Sequence, residues 1–206
     1  NEILNNKSVN NLKNLNFFKS VKSKVKEGSI DGQKVIDVFV EEKPTGEITA
    51  SAGVGTSGTT FGAGISEKNF LGRGLSLNSN LLVGEDSIRG LFSVQNPNFL
   101  DSDKSIYTTI ESSETDKLTD YGYKTSKSGF SFGTSFEYYD DLRLGLGNSN
   151  FYEKIETDST ASARQKSQEG DYWDSFLKLD FDYDKRNQKF QTSDGFRSFY
   201  SLDIPI

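Results

Sequence analysis

Between Glu47 and Ile204 apolar and polar residues alternate with a period of two, and the alternation restarts after each of a series of polar breaks. That period puts successive side chains on opposite faces of an extended chain, so each stretch buries one face and wets the other. Ile48, Ala50, Ala52 and Val54 share one face of the first stretch, and Glu47, Thr49, Ser51 and Gly53 share the other. The same reading holds for the apolar sets Phe61–Ile65, Leu75–Val83, Ile88–Val94, Ile106–Ile110, Phe130–Tyr138, Leu142–Leu146, Leu177–Tyr183 and Phe196–Ile204, nine strands in all. Helices are poorly compatible with this pattern, because a period of 3.6 would scatter the same residues around the axis.

What such strands bury themselves in follows from composition. Hydrophobic residues make up 33% of the chain, few for a conventional core, while aromatics reach 13% and glycines number 19. A soluble sandwich also alternates, but its outer face is normally rich in Lys, Glu and Thr. Here the polar face is often Gly, Ser, Asn or Asp, which suits a crowded, watery lumen, and the apolar face is Leu, Phe and Ile, which suits lipid. The expected fold is therefore mainly β, with about nine antiparallel strands of a transmembrane β-barrel. No run of 18 apolar residues is present, so no transmembrane helix is predicted.

The connections fit an up-and-down barrel. Gly55-Thr56-Ser57-Gly58 and Gly84-Glu85-Asp86-Ser87 read as short turns. Ser112–Lys127 and Tyr152–Asp171 read as long, charged loops, and strand counting puts them on the same end as those two turns. Tyr138, Tyr139, Phe151, Tyr152, Tyr172 and Trp173 are expected near strand ends, where aromatic girdles form.

Several functions are disfavoured. The chain has no Cys and no His, which removes disulfides, thiolate metal sites and the commonest general base. Net charge is −6 with pI near 4.9 and the basic residues are dispersed, so nucleic acid is not an expected partner. Gly53-Val54-Gly55-Thr56-Ser57-Gly58 matches a dinucleotide-binding pattern, but that motif must open a helix and here a strand follows, so it reads as a glycine-rich hairpin. Asp180, Asp182 and Asp184 resemble the start of a calcium loop, yet Lys185 and Gln191 occupy the positions that need Gly and Glu. They read as a carboxylate row on the lumen face, with Lys178, Arg143 or Arg197 as partners. No acidic pair has a visible catalytic partner, and the expectation is no enzyme, no cofactor and no metal.

Residues 1–43 are of another kind. Asn1–Leu15 carries roughly helical apolar spacing, with Ser8 as a candidate cap for a helix ending near Leu15. Phe18–Val25 and Val35–Val40 read as strands joined by a turn at Asp31-Gly32. Pro44-Thr45-Gly46 breaks the pattern, giving a segment 1–43 and a barrel segment 44–206.

Five stretches resemble the BamA family of outer-membrane assembly factors. Residues 11–21 (Asn11 to Val21) are similar to the helix-to-strand turn of a POTRA domain, and Glu41–Gly46 to the junction between POTRA and barrel. Asn69-Phe70-Leu71-Gly72-Arg73-Gly74 resembles the turn after the second barrel strand, Asn96-Pro97-Asn98-Phe99-Leu100 the next turn on that end, and Thr192–Arg197 a Thr-Asp-Gly stretch before a later strand. Their order and spacing agree and span nearly the whole chain.

The resemblance implies a partial POTRA (α+β) over 1–43, periplasmic, followed by the first half of a barrel of about sixteen strands in the cell outer membrane. Since the chain starts at Asn1, lacks Met and stops in an apolar strand at Ile206, it is expected to be a fragment whose open edges need a partner. The implied function is assembly and insertion of β-barrel proteins. The implied partners are unfolded outer-membrane protein clients, accessory lipoproteins of the assembly complex and outer-membrane lipid. In that family the first barrel strand is a seam that opens sideways for a client strand, which assigns strand pairing to Ile48, Thr49, Ala50, Ser51, Ala52, Gly53 and Val54. The residues alone also allow an ordinary barrel strand that packs closely. Two alternatives stand beside the assembly reading: a secretion channel of the same superfamily, and a passive porin or structural barrel, against which residues 1–43 speak.

Overall fold

The computed structural model describes residues 2–30, 32–55, 58–187 and 192–206. Asn1, Asp31, Thr56, Ser57 and Gln191, on which parts of the helix, turn and motif readings fall, lie outside the described residues. The chain divides into two units, Asn1–Gly46 and Glu47–Ile206.

The first unit holds helix α1 (Glu2–Asn14) and an antiparallel pair, β1 (Phe18–Glu27) and β2 (Lys34–Glu42). Val21 on β1 is buried, and Asn5 Nδ2 donates to Ser23 Oγ at 3.0 Å, tying the helix to that strand. Lys19 pairs with Glu41 at 2.9 Å across the strands, and Lys26–Asp37 and Lys34–Glu27 make further cross-strand pairs. Ser8 lies inside α1 rather than capping it, because the helical apolar spacing already starts at Ile3 and Leu4, a full turn earlier.

The second unit is one sheet of nine strands: β3 (Gly46–Gly55), β4 (Gly58–Phe70), β5 (Leu75–Gly84), β6 (Ser87–Asn96), β7 (Ser105–Lys117), β8 (Tyr123–Tyr139), β9 (Leu142–Thr157), β10 (Gly170–Asp184) and β11 (Arg197–Pro205). Every neighbour in the sheet is the next strand in sequence, from β3 at one edge to β11 at the other. All nine alternating stretches are strands, as their period requires.

The registers show what that period achieves. Ile110 stands opposite Phe130, Leu144 opposite Phe181, Leu146 opposite Leu179, Leu179 opposite Leu202 and Phe181 opposite Tyr200. Strand by strand, the apolar residues therefore fall on one continuous face. Yet hardly any is buried: Val21 and Ala161 are the only buried hydrophobic residues described, while Phe132 is 50% exposed and Phe61 60%. An apolar face this large facing water would drive aggregation, so its solvent is lipid. Trp173 and Tyr183 lie ten residues apart on the apolar face of β10. At about 3.3 Å per residue and a tilt of about 40°, they stand about 25 Å apart along the membrane normal, the height of an outer-membrane barrel's apolar band.

Two polar features sit within this scheme. Asn148, Asn150 and Ser175 interrupt the apolar face, and their polar groups are satisfied locally: Trp173 Nε1 donates to Ser175 Oγ (3.1 Å), Ser175 Oγ to Asn150 Oδ1 (2.9 Å), Asn150 to Asn148, and Asn148 Nδ2 to the Phe176 carbonyl (3.2 Å). On the opposite face glycines make room for aromatic rings. Tyr107 lies over Gly133 and Gly147, where an added Cβ would come within 2.6 Å of its ring or hydroxyl, and Phe151 lies over Gly129.

Two expectations need correction. Ser112–Lys127 is mostly strand, not loop, since β7 and β8 stay paired out to Lys117 and Tyr123 and leave 118–122 as the connection; of Tyr152–Asp171 only the two ends are strand, and the connection shrinks to 158–169. Beyond the lipid both faces are wet, so the apolar alternation stops while backbone pairing continues. For the same reason Phe151 and Tyr152 lie well inside β9, whereas Tyr172 and Trp173 do sit near the start of β10, with Tyr152 opposite Trp173 across the apolar face. Phe151 belongs to the Gly129 side and is no girdle residue. Tyr138 and Tyr139 do sit at a strand end, ring centroids 5.7 Å apart.

The two connections at that far end pack together. Gly122, with φ +73°, leaves no room for a side chain beside Asp158, Thr160 and Ala161, and the Asp158 N–H donates to the Gly122 carbonyl at 2.9 Å. Ser162 caps the short helix α2 (Ala163–Lys166) through a reciprocal bond with Gln165. Hydrogen bonds from the Thr160 hydroxyl (2.6 Å) and N–H (2.7 Å) hold the Asp158 carboxyl below the usual carboxylate range.

Two outcomes follow. Gly133→Val drives a side chain into Tyr107 and the Leu146 carbonyl, and is expected to lower the stability of the folded sheet by about 1–3 kcal/mol, read from its urea midpoint. Because the Asp158 carboxyl is depressed on folding, the order it lends the 158–169 connection is complete above the ordinary carboxylate range. It is lost as pH falls through the lower folded value. Amide exchange at Thr160 and Ala161, corrected for intrinsic rates, should stay flat down to about pH 5 and rise below it, and Asp158→Asn should remove that pH dependence.

Candidate strand-pairing edge

The strand assigned to client pairing is the first of the sheet. Glu47 to Val54 alternates, so it extends, but Ala50, Ser51, Ala52 and Gly53 give it little to pack with. All ten residues of β3 are exposed, with Ile48 at 81% and Val54 at 87%. Ile48, Thr49, Ala50, Ser51, Ala52, Gly53 and Val54 are thus brought together on one terminal strand.

Its single described neighbour in the sheet is β4. A Cβ at Gly62 would run into the Ser51 hydroxyl, and one at Gly64 would approach Thr49 Oγ1 to 2.6 Å. These contacts put 51 against 62 and 49 against 64, an antiparallel register in which the two hydroxyls rest on the glycines of β4. Near the connection, Glu85 reaches back from the β5–β6 turn and accepts from the Thr59 N–H at 3.1 Å. At Gly53 and Gly55 nothing lies within 4 Å of where a Cβ would stand. On the side away from β4, the strand presents its backbone N–H and C=O groups unpaired by any other described strand. Such a row recognises any extended chain, because backbone hydrogen bonds ignore sequence.

Sequence reasoning expected open edges but assigned a role to the first strand alone. β11 is equally terminal, and all nine of its residues are exposed. The carboxylate row behaves as ordinary ion-pairing groups. Arg197 binds Asp182 through two bonds (2.7 and 2.8 Å), Ser201 Oγ donates to Asp180 at 2.6 Å, and Lys178 lies 3.9 Å from Asp180. Arg186 grips Asp184 through two bonds of 2.7 Å, a partner missed in the sequence because it sits past the end of the alternation. Arg143 turns instead to Ser135 Oγ (3.0 Å) and the Asp103 carbonyl (2.5 Å).

Residues 69–204 match the family model described as the Omp85 superfamily domain. This chain belongs to the Omp85 superfamily. Among curated relatives of this Omp85 chain is the outer membrane protein assembly factor BamA of Neorickettsia risticii (strain Illinois), 32% identical over 153 residues that make up 69% of the chain and 19% of the relative. Among solved structures, the crystal structure of BamA from Haemophilus ducreyi lacking POTRA domains 1–3 superposes with a TM-score of 0.70 at 22% identity, covering 96% of this chain and 41% of that one. The chain thus spans about a fifth of the curated relative's length, and its sheet has the fold of a BamA-type barrel wall. Family and fold together place this Omp85 sheet in the outer membrane.

With one neighbour and little side-chain packing, β3 should be the least protected strand of the sheet. Hydrogen exchange of the intact membrane protein is expected to label Ile48–Val54 at least about tenfold faster than Phe130–Phe136 on β8, which has a neighbour on both sides. Equal protection would mean that β3 is held as firmly as an interior strand.

Proposed function

We propose that this chain is the client-receiving part of a machine that assembles and inserts β-barrel proteins into the outer membrane, with β3 as its lateral pairing edge. The observation that carries the reading is β3 itself: a terminal strand, exposed along its whole length, with small side chains at its centre and one face of backbone groups open to a further strand. The Omp85 match and the relative named as an assembly factor support it over a passive porin.

Mechanistically, an incoming client strand would pair with Ile48–Val54 by β-augmentation. In lipid, an unsatisfied backbone group costs several kcal/mol, so a client strand that leaves water gains by pairing at once with an open edge. No catalytic step and no cofactor enters this scheme; the client's own hydrogen bonding and lipid burial supply the driving force. The small side chains of β3 let it part from its other neighbour with little loss of packing. The N-terminal unit is read as the closing part of a POTRA domain on the periplasmic side, offering sheet edges to clients and accessory lipoproteins. A secretion channel of the same superfamily is the alternative, and it differs in having one dedicated partner rather than many clients.

The 206 residues of this chain contain no Cys, so a cysteine introduced among them is unique there. With Ala50→Cys in the full-length protein and single cysteines along the terminal strand of a client, disulfide crosslinks are expected during assembly and in one register only. Several unrelated clients should give the same crosslink. Crosslinks at Phe132→Cys but none at Ala50→Cys would overturn the seam, and crosslinks to one protein alone would favour secretion.

A further inference from the structure

Two turns at one end of the sheet repeat the same three residues, Asn-Phe-Leu: Asn69-Phe70-Leu71 between β4 and β5, and Asn98-Phe99-Leu100 between β6 and β7. In both, the leucine adopts the left-handed backbone region, with φ +55° at Leu71 and φ +54° at Leu100. A branched side chain rarely sits there, and glycine or asparagine serves a turn better. Both leucines are also exposed, Leu71 at 76% and Leu100 at 81%, beside half-exposed Phe70 and Phe99. A strained and solvated leucine stabilises nothing within the sheet, yet the arrangement occurs twice, two strands apart on the same end.

Strain of this kind persists where the surroundings enforce it. Asn69 Oδ1 accepts from the Gly74 N–H at 2.7 Å, and Gly72 and Arg73 donate backward to Asn69 and Phe70. In the second turn Asn96 Oδ1 accepts from Asn98 N–H, and Ser102 Oγ donates to the Phe99 carbonyl at 2.6 Å. The position along the strands is equally specific. Phe70 pairs with Leu75 at the end of the apolar face of β4 and β5. The Glu137 N–H donates to the Asp103 carboxylate at 3.3 Å, which sets the second turn beside Tyr138 and Tyr139, the aromatic pair at this end. Both leucines therefore stand at the edge of the apolar band, where bilayer hydrocarbon gives way to headgroups. Lys68 and Arg73 flank the first turn and Lys104 the second, as cations that sit at phosphate level beside interfacial apolar residues do.

From this we infer that the two Asn-Phe-Leu turns are interfacial anchors: they insert Leu71 and Leu100, with Phe70 and Phe99, into the phospholipid leaflet on the side where β3 begins, and fix the depth of the sheet beside its open edge. The inference rests on the reading of the sheet as a membrane wall. A protein partner docking on the same turns is the competing outcome.

The test uses the full-length protein in vesicles of phosphatidylethanolamine and phosphatidylglycerol with brominated acyl chains. Single-site variants Leu71→Cys, Leu100→Cys, Ser102→Cys and Phe132→Cys carry an environment-sensitive fluorophore. The labels at 71 and 100 are expected to emit to the blue and to lose at least half their intensity to bromines near the headgroup, while the label at 102 stays aqueous. Quenching at 132 without quenching at 71 and 100 overturns the anchor and leaves the barrel reading standing; no quenching at 132 overturns the barrel reading itself. Blue emission at 71 and 100 without quenching by bromolipid would mean a protein partner, and also overturns it. Leu71→Gly with Leu100→Gly keeps the proposal testable if labelling perturbs the turns. Relief of backbone strain should leave stability in detergent unchanged or higher, while folding into these vesicles slows severalfold. Equal folding rates would overturn the anchor.

Discussion

Everything in this structure depends on backbone hydrogen bonding between consecutive strands in a medium that offers no other partner. In water an unpaired N–H or C=O turns to solvent; in hydrocarbon it has nowhere to turn. A chain with almost no buried side chains can therefore still be ordered, because pairing with the next strand is the only way to shelter its polar groups. The unbroken order from β3 to β11 is the simplest arrangement that pairs each strand with a neighbour close in sequence. The first strand, β3, has one described neighbour, and the reading of function begins there.

The same constraint explains the division of labour between the faces. Leucine and phenylalanine can cover one face because lipid accepts them without close packing. The other face has to fit its own side chains together, and there glycines take the role that small core residues take in a soluble protein. Tyr107 over Gly133 and Gly147, and Ser51 and Thr49 over Gly62 and Gly64, are close-fitting contacts without a core. Over Gly62 and Gly64 the contacts from β3 end in short hydroxyls, whereas over Gly133 and Gly147 they involve a whole ring. Short hydroxyls are what the proposed receiving edge would have to give up to part from β4.

The turns carry the parts of the function that strands cannot. On one end Gly122 and the Asp158–Ser162 segment lock two connections together with hydrogen bonds and a tight backbone approach. On the other end the Asn-Phe-Leu turns hold leucines in an unfavourable backbone conformation at the margin of the apolar band. One end is braced against itself; the other holds its leucines exposed.

Period-two alternation by itself determined where the strands of Glu47–Ile204 would lie and which way Phe130, Phe132 and Phe136 would face, since a side chain's face follows from counting along the chain. The candidate edge was legible for the same reason: the first strand of a meander is terminal whatever its neighbours are. Strand length was not legible, because beyond the membrane both faces of β7 to β10 are wet and the pattern that marked them disappears while the ladder goes on. Nor were the partners of individual side chains, such as Arg186 for Asp184, Gly129 for Phe151 or the placement of Ser8 within a helix. Those depend on register, on which residues two strands happen to bring opposite one another, and register is set by the sum of all pairings along a ladder. Only the folded sheet decides it.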